Sequence, residues 1–231
     1  MYRTPIQIRL IGGLLRFKLV KALILAALAG SLATATDFSF SGSLAADDSI
    51  QLFRFTLAAT DTLTLRTYSY AGGVNQAGNI ISGGGFDPIL SLFDSAGALI
   101  NENDDGHSHV PADPVTGQQW DSYLTTTLAA GTYTVSLTQY DNFPNGPNLS
   151  NGFIRTGDPN FTSEFGCTNG RFCDLTSDNR TPNWAFDVLG ANSAVIVNTA
   201  PEPGVPALTG VGMLLIIVFR RGKCWKTCFR Q

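Results

Sequence analysis

Lysine is missing from the middle of this 231-residue chain, and bases of any kind are scarce there. Residues 36–200 contain five arginines and 17 acidic side chains, and subtracting the acids from the bases gives a formal charge of −12. The whole-chain value of −3 conceals this, because the other ten bases lie in residues 1–35 and 220–231. A body this acidic repels phosphates and anionic lipid, which excludes nucleic acid as a partner.

Signatures of enzymes and of long helices are also lacking. The sequence has no G-x-S-x-G elbow, only two histidines, and no nucleophile whose neighbours would orient it. It has no long segment in which apolar residues recur every 3.6 positions between helix caps. The chain is therefore predicted to be non-enzymatic, and coiled-coil, collagen-like and multidomain architectures are excluded.

The middle of the chain instead alternates apolar and polar residues over short runs that glycine-rich turns separate. This pattern predicts an all-β domain over residues 36–199, folded as an antiparallel β-sandwich. Residues 141–183 are rich in Asn, Gly and Pro and are expected to form an irregular insertion. The alternating positions are Phe53, Phe55 and Leu57; Leu63, Leu65 and Thr67; Tyr133, Val135 and Leu137; Trp184, Phe186 and Val188.

The amino terminus has the order of a secretory signal peptide. A basic stretch ends at Lys21, an apolar run occupies 22–32, and the Ala-Thr-Ala at 33–35 is the small-x-small pattern that signal peptidase accepts. Residues 1–35 are therefore predicted to direct export and to be removed by signal peptidase. The alternative is an uncleaved membrane anchor, although the apolar run is short for a membrane span.

The carboxyl terminus joins a Pro-Glu-Pro tripeptide, an apolar stretch and a pair of arginines, in that order. This order resembles the PEP-CTERM sorting signal of Gram-negative bacteria that make exopolysaccharide. The resemblance implies a single hydrophobic helix that halts in the inner membrane, and a membrane protease-transpeptidase, exosortase, that removes it. The residues concerned are Pro201, Glu202 and Pro203, then 204–219, then Arg220 and Arg221.

Residues 222–231 continue beyond these arginines as a basic tail, which the signal usually lacks. The positive-inside rule places this tail in the cytoplasm, where Cys224 and Cys228 are expected to stay reduced. The alternative to processing is a permanent carboxy-terminal membrane anchor, which would keep both cysteines in the mature protein.

The body itself carries a second resemblance. The runs GGGFDPILSLFDSAGALINENDDG, DSYLTTTLAAGTYTVSLTQYDNF and TPNWAFDV resemble the DVUA0089 family of secreted bacterial β domains. Residues 86–141 are also similar to the broader bacterial pre-peptidase carboxy-terminal module. The resemblance implies a jelly-roll-like sandwich that sometimes binds calcium and serves as an accessory module.

An acidic loop, Glu-Asn-Asp-Asp-Gly at 102–106, is the most chemically distinctive feature of the body. Calcium takes six to eight oxygen ligands, which clustered carboxylates and backbone carbonyls supply. A calcium site is therefore a hypothesis, but no diagnostic ligand spacing is present. The alternative is a solvated loop in which Asp and Asn form local turns. The candidate ligands are Asp104 and Asp105, joined by Asp87, Asp94 and Asp121 if the sandwich gathers their loops.

Three further groups of residues each allow a functional and a structural interpretation. His107 and His109 would share one face of a strand and suit zinc, although surface histidines in a polar loop are commoner. Cys167 and Cys173, six positions apart in an exported domain, are predicted to form a disulfide. A set of aromatic residues offers a sugar-stacking surface, unless they belong to the core. They are Tyr68, Tyr70, Trp120, Tyr123, Tyr140 and Phe143.

Together these features predict an exported, non-enzymatic protein of the cell surface or extracellular matrix, with a structural or adhesive role in exopolysaccharide. The expected partners are signal peptidase and exosortase during export, the inner membrane through the helix before processing, and exopolysaccharide afterwards. The alternative is a carbohydrate-binding or accessory module of a secreted enzyme system. No cofactor is expected apart from the hypothetical calcium.

Overall fold

The computed structural model describes residues 34–197. The PEP-CTERM-like signal, the basic tail and nearly all of the predicted signal peptide lie outside these residues, so their predictions stay predictions. Between residues 34 and 197, no helix is long and apolar enough to cross a membrane. The predicted membrane helix at 204–219 is outside that range.

Eleven strands and three short 3₁₀ helices make up the regular structure of the described residues. The 3₁₀ helices are His107–His109, Leu149–Asn151 and Phe161–Phe165. The strands in chain order are β1 (Thr36–Ser43), β2 (Gln51–Leu57), β3 (Asp61–Thr67), β4 (Gly73–Val74), β5 (Ile80–Ile81), β6 (Pro88–Phe93), β7 (Leu99–Asn103), β8 (Tyr123–Leu128), β9 (Gly131–Gln139), β10 (Asn183–Ala191) and β11 (Ser193–Val197).

Two antiparallel sheets contain most of these strands. One has the order β1-β10-β3-β8 and the other has the order β11-β2-β9-β6-β7, while β4 and β5 form a separate hairpin. Side chains from both sheets share a single core cluster. The predicted all-β fold class, an antiparallel β-sandwich, is therefore confirmed.

The alternating apolar positions build this core. Because successive side chains on a strand point to opposite faces, the apolar members of each run face the other sheet. Phe53 of β2 lies 4.6 Å from Phe186 of β10, measured between ring centroids, and meets Trp184 edge-on at 5.5 Å. These contacts between aromatic rings join the five-stranded sheet to the four-stranded sheet.

The segment between β9 and β10 follows an irregular path that hydrogen bonds hold in place. Leu99 N donates to Pro147 O over 2.8 Å, and Leu149 N donates to Gly97 O over 2.8 Å. Asp47, which is fully buried, accepts hydrogen bonds from Phe172 N and from the backbone and hydroxyl of Thr162. The segment is therefore fastened to the β6–β7 turn and to the β1–β2 connection.

A disulfide closes a short loop within this segment. Cys167 is bonded to Cys173, and their Cα atoms lie 5.4 Å apart. Both cysteines are buried. The predicted disulfide is confirmed.

Candidate functional site

Acidic loops meet at one end of the sandwich because of the strand directions. Asp87 directly precedes β6, Asp104 and Asp105 directly follow β7, and Asp121 lies two residues before β8. Strands β6 and β7 are antiparallel neighbours, so the start of one lies beside the end of the other. The structure therefore brings four of the five predicted calcium ligands to the same end.

Asp87 is the most unusual of these carboxylates. It is buried, and its Oδ1 atom has no hydrogen-bond partner within residues 34–197. Burial raises the pKa of Asp87 well above its ordinary value, and the negative charges of Asp105 and Asp104 raise it further. Burying an ionised carboxylate without a partner costs free energy, so a proton or a cation bound to Oδ1 would stabilise the folded state.

Asp121 has a different role, because its oxygens are already occupied. Oδ1 accepts from the Thr67 hydroxyl at 2.8 Å and from Tyr70 N at 3.1 Å, and Oδ2 accepts from Ala71 N at 2.8 Å. Burial raises the pKa of Asp121, and these hydrogen bonds oppose that shift. Asp121 therefore holds the loop after β3 in place and has little capacity left for a metal ion.

The Asp104–Asp105 loop lies beside several backbone carbonyls. The Ser122 hydroxyl is within hydrogen-bonding distance of Asn103 O at 3.0 Å, of Asp104 O at 3.3 Å, and of Pro88 O. One hydroxyl hydrogen serves one of these acceptors at a time. Oxygens from three segments of the chain therefore converge here.

The ionised form of Asp105 in this loop is disfavoured by its surroundings. Burial raises the pKa of Asp105, the charge of Asp104 adds to the shift, and His107 opposes it. Residues 34–197 contain no group of three or more His, Cys, Asp or Glu side chains placed to hold a metal ion. A cation at this end would therefore depend on backbone carbonyls and on movement of the loop as well as on carboxylates.

Asp94 does not join this cluster. It follows β6 at Phe93, whereas Asp87 precedes β6 at Pro88, so the two carboxylates flank opposite ends of the strand. Asp94 Oδ1 accepts hydrogen bonds from Ala96 N at 2.8 Å and from Ala98 N at 2.9 Å. Asp94 is a turn residue of the β6–β7 hairpin, and its inclusion among the calcium ligands was wrong for that reason.

The two histidines lie on a 3₁₀ helix and not on a strand. The strand geometry that would give His107 and His109 a common face is therefore absent, and the zinc hypothesis loses its basis. His109 stacks on Tyr123, with ring centroids 4.8 Å apart and an interplanar angle of 10°. His109 and Tyr123 also line a shallow polar groove of about 240 Å³ between β7 and β8.

The predicted sugar-stacking surface is divided by the fold. Tyr68 and Tyr70 are buried, so the alternative interpretation, that they belong to the core, is the correct one for them. Trp120 is half-buried against Tyr70, at 5.1 Å between ring centroids. Tyr123, Tyr140 and Phe143 are also half-buried, and Tyr140 meets Phe143 edge-on at 5.9 Å. These rings do not form one exposed platform.

A buried charge network escaped the sequence analysis. Arg180 Nε lies 2.6 Å from Asp174 Oδ2, and Arg180 Nη2 lies 3.2 Å from Asp113 Oδ2. The guanidinium also covers the ring of Tyr70 at 3.8 Å, and the Tyr70 hydroxyl donates to Asp174 at 2.8 Å. Arginine is rare in this body, so an arginine six residues after Asp174 was the available signal.

Hydrogen bonds set the electrostatics of this network. Burial alone would raise the pKa of Asp113 and of Asp174, but hydrogen bonds from Thr116, Thr176 and Arg180 outweigh it. The pKa of each carboxyl is therefore lower than its ordinary value. Both acids are ionised at neutral pH and hold the long segment before β10 to the loop before β8.

Comparison with known proteins provides no evidence about the function of this chain. No family model matches the chain, and no curated protein matches it. Among solved structures, the chain is similar to the pre-peptidase C-terminal domain of a collagenase from Bacillus anthracis. The similarity covers 69% of this chain and 90% of that domain, with 10% sequence identity and a TM-score of 0.31. A similarity this low carries no argument about the fold, the function or the sites of this chain.

Proposed function

We propose that the chain is an exported, non-enzymatic β-sandwich protein that exosortase sorts to the cell surface, where it has a structural or adhesive role in exopolysaccharide. The observation that carries this proposal is the Cys167–Cys173 disulfide. Disulfides persist in oxidising compartments such as the periplasm and the cell exterior, and they are rare in the cytosol. The bond therefore supports export of the folded domain.

The order of the terminal segments supports the route. The predicted signal peptide precedes the sandwich, and the Pro-Glu-Pro motif at 201–203 follows it. An apolar stretch of 16 residues halts export but is short for a durable anchor, and Pro206 interrupts it. Arg220 and Arg221 keep its end in the cytoplasm, which leaves the motif on the outer side of the membrane.

Carboxy-terminal peptide mapping of surface-exposed protein tests this proposal. We expect the mature chain to end near Pro201–Pro203 and to lack peptides that contain Cys224 and Cys228. In fractionation experiments, a matched chain that lacks residues 201–231 should pass out of the cell envelope without being sorted to the cell surface. Recovery of tail peptides from most of the surface-exposed protein would refute processing and assign a permanent anchor.

We also propose that the acidic end binds calcium weakly, which fits a matrix protein because the ion stabilises the folded domain. The unpartnered Oδ1 of buried Asp87 favours this second activity. Asp87, Asp104 and Asp105 would supply charge, and the carbonyl oxygens of Asn103 and Asp104 would complete the oxygen ligands. Calcium would neutralise carboxylates that burial and mutual repulsion otherwise destabilise.

Thermal unfolding in EDTA and in millimolar calcium tests the second proposal. An ion that binds the folded state alone raises Tm as its concentration rises. Asp87→Asn should abolish the rise, and the matched variant Asp94→Asn, at the other end of β6, should retain it. Equal midpoints in EDTA and in calcium would refute calcium binding.

The alternative role, an accessory or carbohydrate-binding module of a secreted enzyme system, makes a different prediction. Such a module would bind a defined sugar or a defined enzyme, whereas a structural matrix protein is retained by the matrix without that specificity. Matrix retention measured alongside binding to defined glycans separates the two roles.

A further inference from the structure

Three Asn-Gly pairs lie in the segment between β9 and β10. Asparagine before glycine is prone to deamidation, because glycine has no Cβ to hinder the attack of its backbone nitrogen on the preceding side-chain amide. This ring closure needs a free glycine nitrogen, a free asparagine side chain and room for the peptide plane between them to turn. The pairs are Asn145-Gly146, Asn151-Gly152 and Asn169-Gly170.

Hydrogen bonds protect the pair Asn151-Gly152. Gly152 N donates to Leu149 O over 3.1 Å, so the nitrogen that would attack is already engaged. Asn151 Oδ1 accepts from Asn148 N over 3.0 Å as part of a capping box. Both reacting groups are held apart by these bonds, which must break before the ring can close.

The pair Asn145-Gly146 is restrained in a different way. Asn145 N donates to Gly152 O over 2.8 Å, which fixes the backbone on one side of the pair. A Cβ on Gly146 would lie 2.8 Å from Asn151 Oδ1, so the glycine is closely packed. Little room is left for the peptide plane to turn.

The pair Asn169-Gly170 is free at both reacting groups. Asn169 is exposed, and neither its side chain nor Gly170 N makes a hydrogen bond within residues 34–197. Apart from the chain neighbours of Gly170, no atom lies within 4 Å of the position that its Cβ would occupy. Asn169 N donates to Asn179 Oδ1 over 2.9 Å, which involves neither reacting group. The structure therefore leaves this pair alone of the three both unbonded and uncrowded.

We propose that Asn169 is a site of spontaneous covalent modification. Gly170 N gives its proton to a base in solution and attacks Asn169 Cγ, and the new C–N bond closes a succinimide ring. The side-chain nitrogen takes up a proton and leaves as ammonia. Water then opens the ring. Cleavage at Cγ yields aspartate, and cleavage at the backbone carbonyl carbon yields isoaspartate.

The modification changes both the charge and the covalent shape of an exposed loop. The product carries a carboxylate beside Arg171, which is exposed and is one of only five arginines in residues 36–200. Isoaspartate also adds a methylene group to the backbone inside the loop that the Cys167–Cys173 disulfide closes. The proposal goes beyond the proposed function and does not depend on the sorting route.

The test follows deamidation of the purified full-length chain in detergent at pH 8 by mass spectrometry. Trypsin cleaves after Arg155 and Arg171, and the peptide between these sites contains Asn169-Gly170 as its only Asn-Gly pair. We expect Asn169 to react about tenfold faster than Asn151 or more, because the bonds at Asn151 must first break. Chymotryptic cleavage after Leu149 reports on Asn145 and Asn151 separately.

Three controls separate the structural effect from the chemistry of the pair. The same chain unfolded in urea should react at similar rates at all three pairs, because their protection is lost. Asn169→Gln should lose the conversion in its own peptide and leave Asn145 and Asn151 unchanged. The rate at Asn169 should rise with pH, because the attacking nitrogen must lose its proton.

Electron-transfer fragmentation identifies the chemical route, since only the cyclic intermediate gives isoaspartate together with aspartate. Aspartate as the only product, or a rate that does not change with pH, would overturn the proposed mechanism. Equal rates at Asn169 and Asn151 in the folded chain, or faster conversion at Asn145 than at Asn169, would overturn the choice of site. Conversion at Asn169 in a protein that is not sorted contradicts the proposed function alone.

Discussion

Replacing Arg180 with methionine isolates the contribution of the buried charge network. The arginine side chain is 3% exposed and pairs with Asp174 at 2.6 Å and with Asp113 at 3.2 Å. Methionine keeps much of the apolar volume but removes the guanidinium, which leaves two buried carboxylates without a cation. Breaking a buried ion pair in this way costs about 3–5 kcal/mol of the free energy of unfolding.

Arg155→Met is the matched control for this change. Arg155 also meets a carboxylate through two hydrogen bonds, to Asp141 at 2.7 and 3.1 Å, and also lies over an aromatic ring. The two side chains of that pair are each 27% exposed, so solvent screens them. We expect the control to lose at most about 1 kcal/mol, because exposed pairs contribute little.

Urea unfolding measured from pH 7 to pH 3 supplies the assay. The pKa values of Asp113 and Asp174 are lowered in the folded state, so their stabilising contribution is present above the unfolded-state pKa and is lost as pH falls through the folded-state pKa. In Arg180→Met the unpaired carboxylates gain stability when protonated. The difference between wild type and variant should therefore shrink as the pH falls.

Two results would refute this reasoning. Equal losses in Arg180→Met and Arg155→Met at pH 7 would show that burial does not govern the cost. A difference that grows as the pH falls would show that the carboxylates do not depend on the arginine.

Three further predictions concern other parts of the sandwich. Without calcium, Asp87→Asn should be more stable than the wild type at pH 7. The pKa of Asp87 is raised in the folded state, so the wild type loses stability as the pH rises above the ordinary carboxyl pKa, and asparagine removes this loss. Equal urea midpoints at pH 7 would contradict this. Replacing Cys167 and Cys173 with serine should cost about 2 kcal/mol through the lost loop constraint, and an unchanged midpoint in urea would contradict it. In Gly42→Ala the new Cβ would lie 2.5 Å from Trp184 Cζ2, so we expect a loss of about 1–3 kcal/mol and a lower Tm; an unchanged Tm would contradict this packing.

The alternating strands were predictable from the sequence because the period of two in each run shows which of its residues face the core. In β2 and β3 the buried residues repeat every second position, and this pattern needs no knowledge of the neighbouring strands. Strand β6 is buried on both faces, so its residues show no alternation and the period-two pattern does not reveal it. Local patterns therefore predict strands but not their order.

The candidate site was less predictable, because it depends on which loops meet. Asp87 and Asp94 flank the same strand and look equally suited as ligands in the sequence, but the strand separates them by its whole length. Arg180 and Asp113 are 67 residues apart in the chain, and no local signal connects them. The histidines illustrate a third cause, because their common face required a strand where the chain forms a 3₁₀ helix.

The direction of the last strand has a consequence for how the domain would sit before processing. Strand β11 runs toward the acidic end of the sandwich, and its last residue, Val197, pairs with Leu52 near the start of β2. The Pro-Glu-Pro motif begins four residues later, a distance of at most about 14 Å of extended chain. On the proposed route, this short connection holds the acidic end of the sandwich on the side of the domain that faces the membrane. Anionic lipid would repel rather than retain that end, so cleavage at the motif would leave the acidic end without an attachment to the membrane surface.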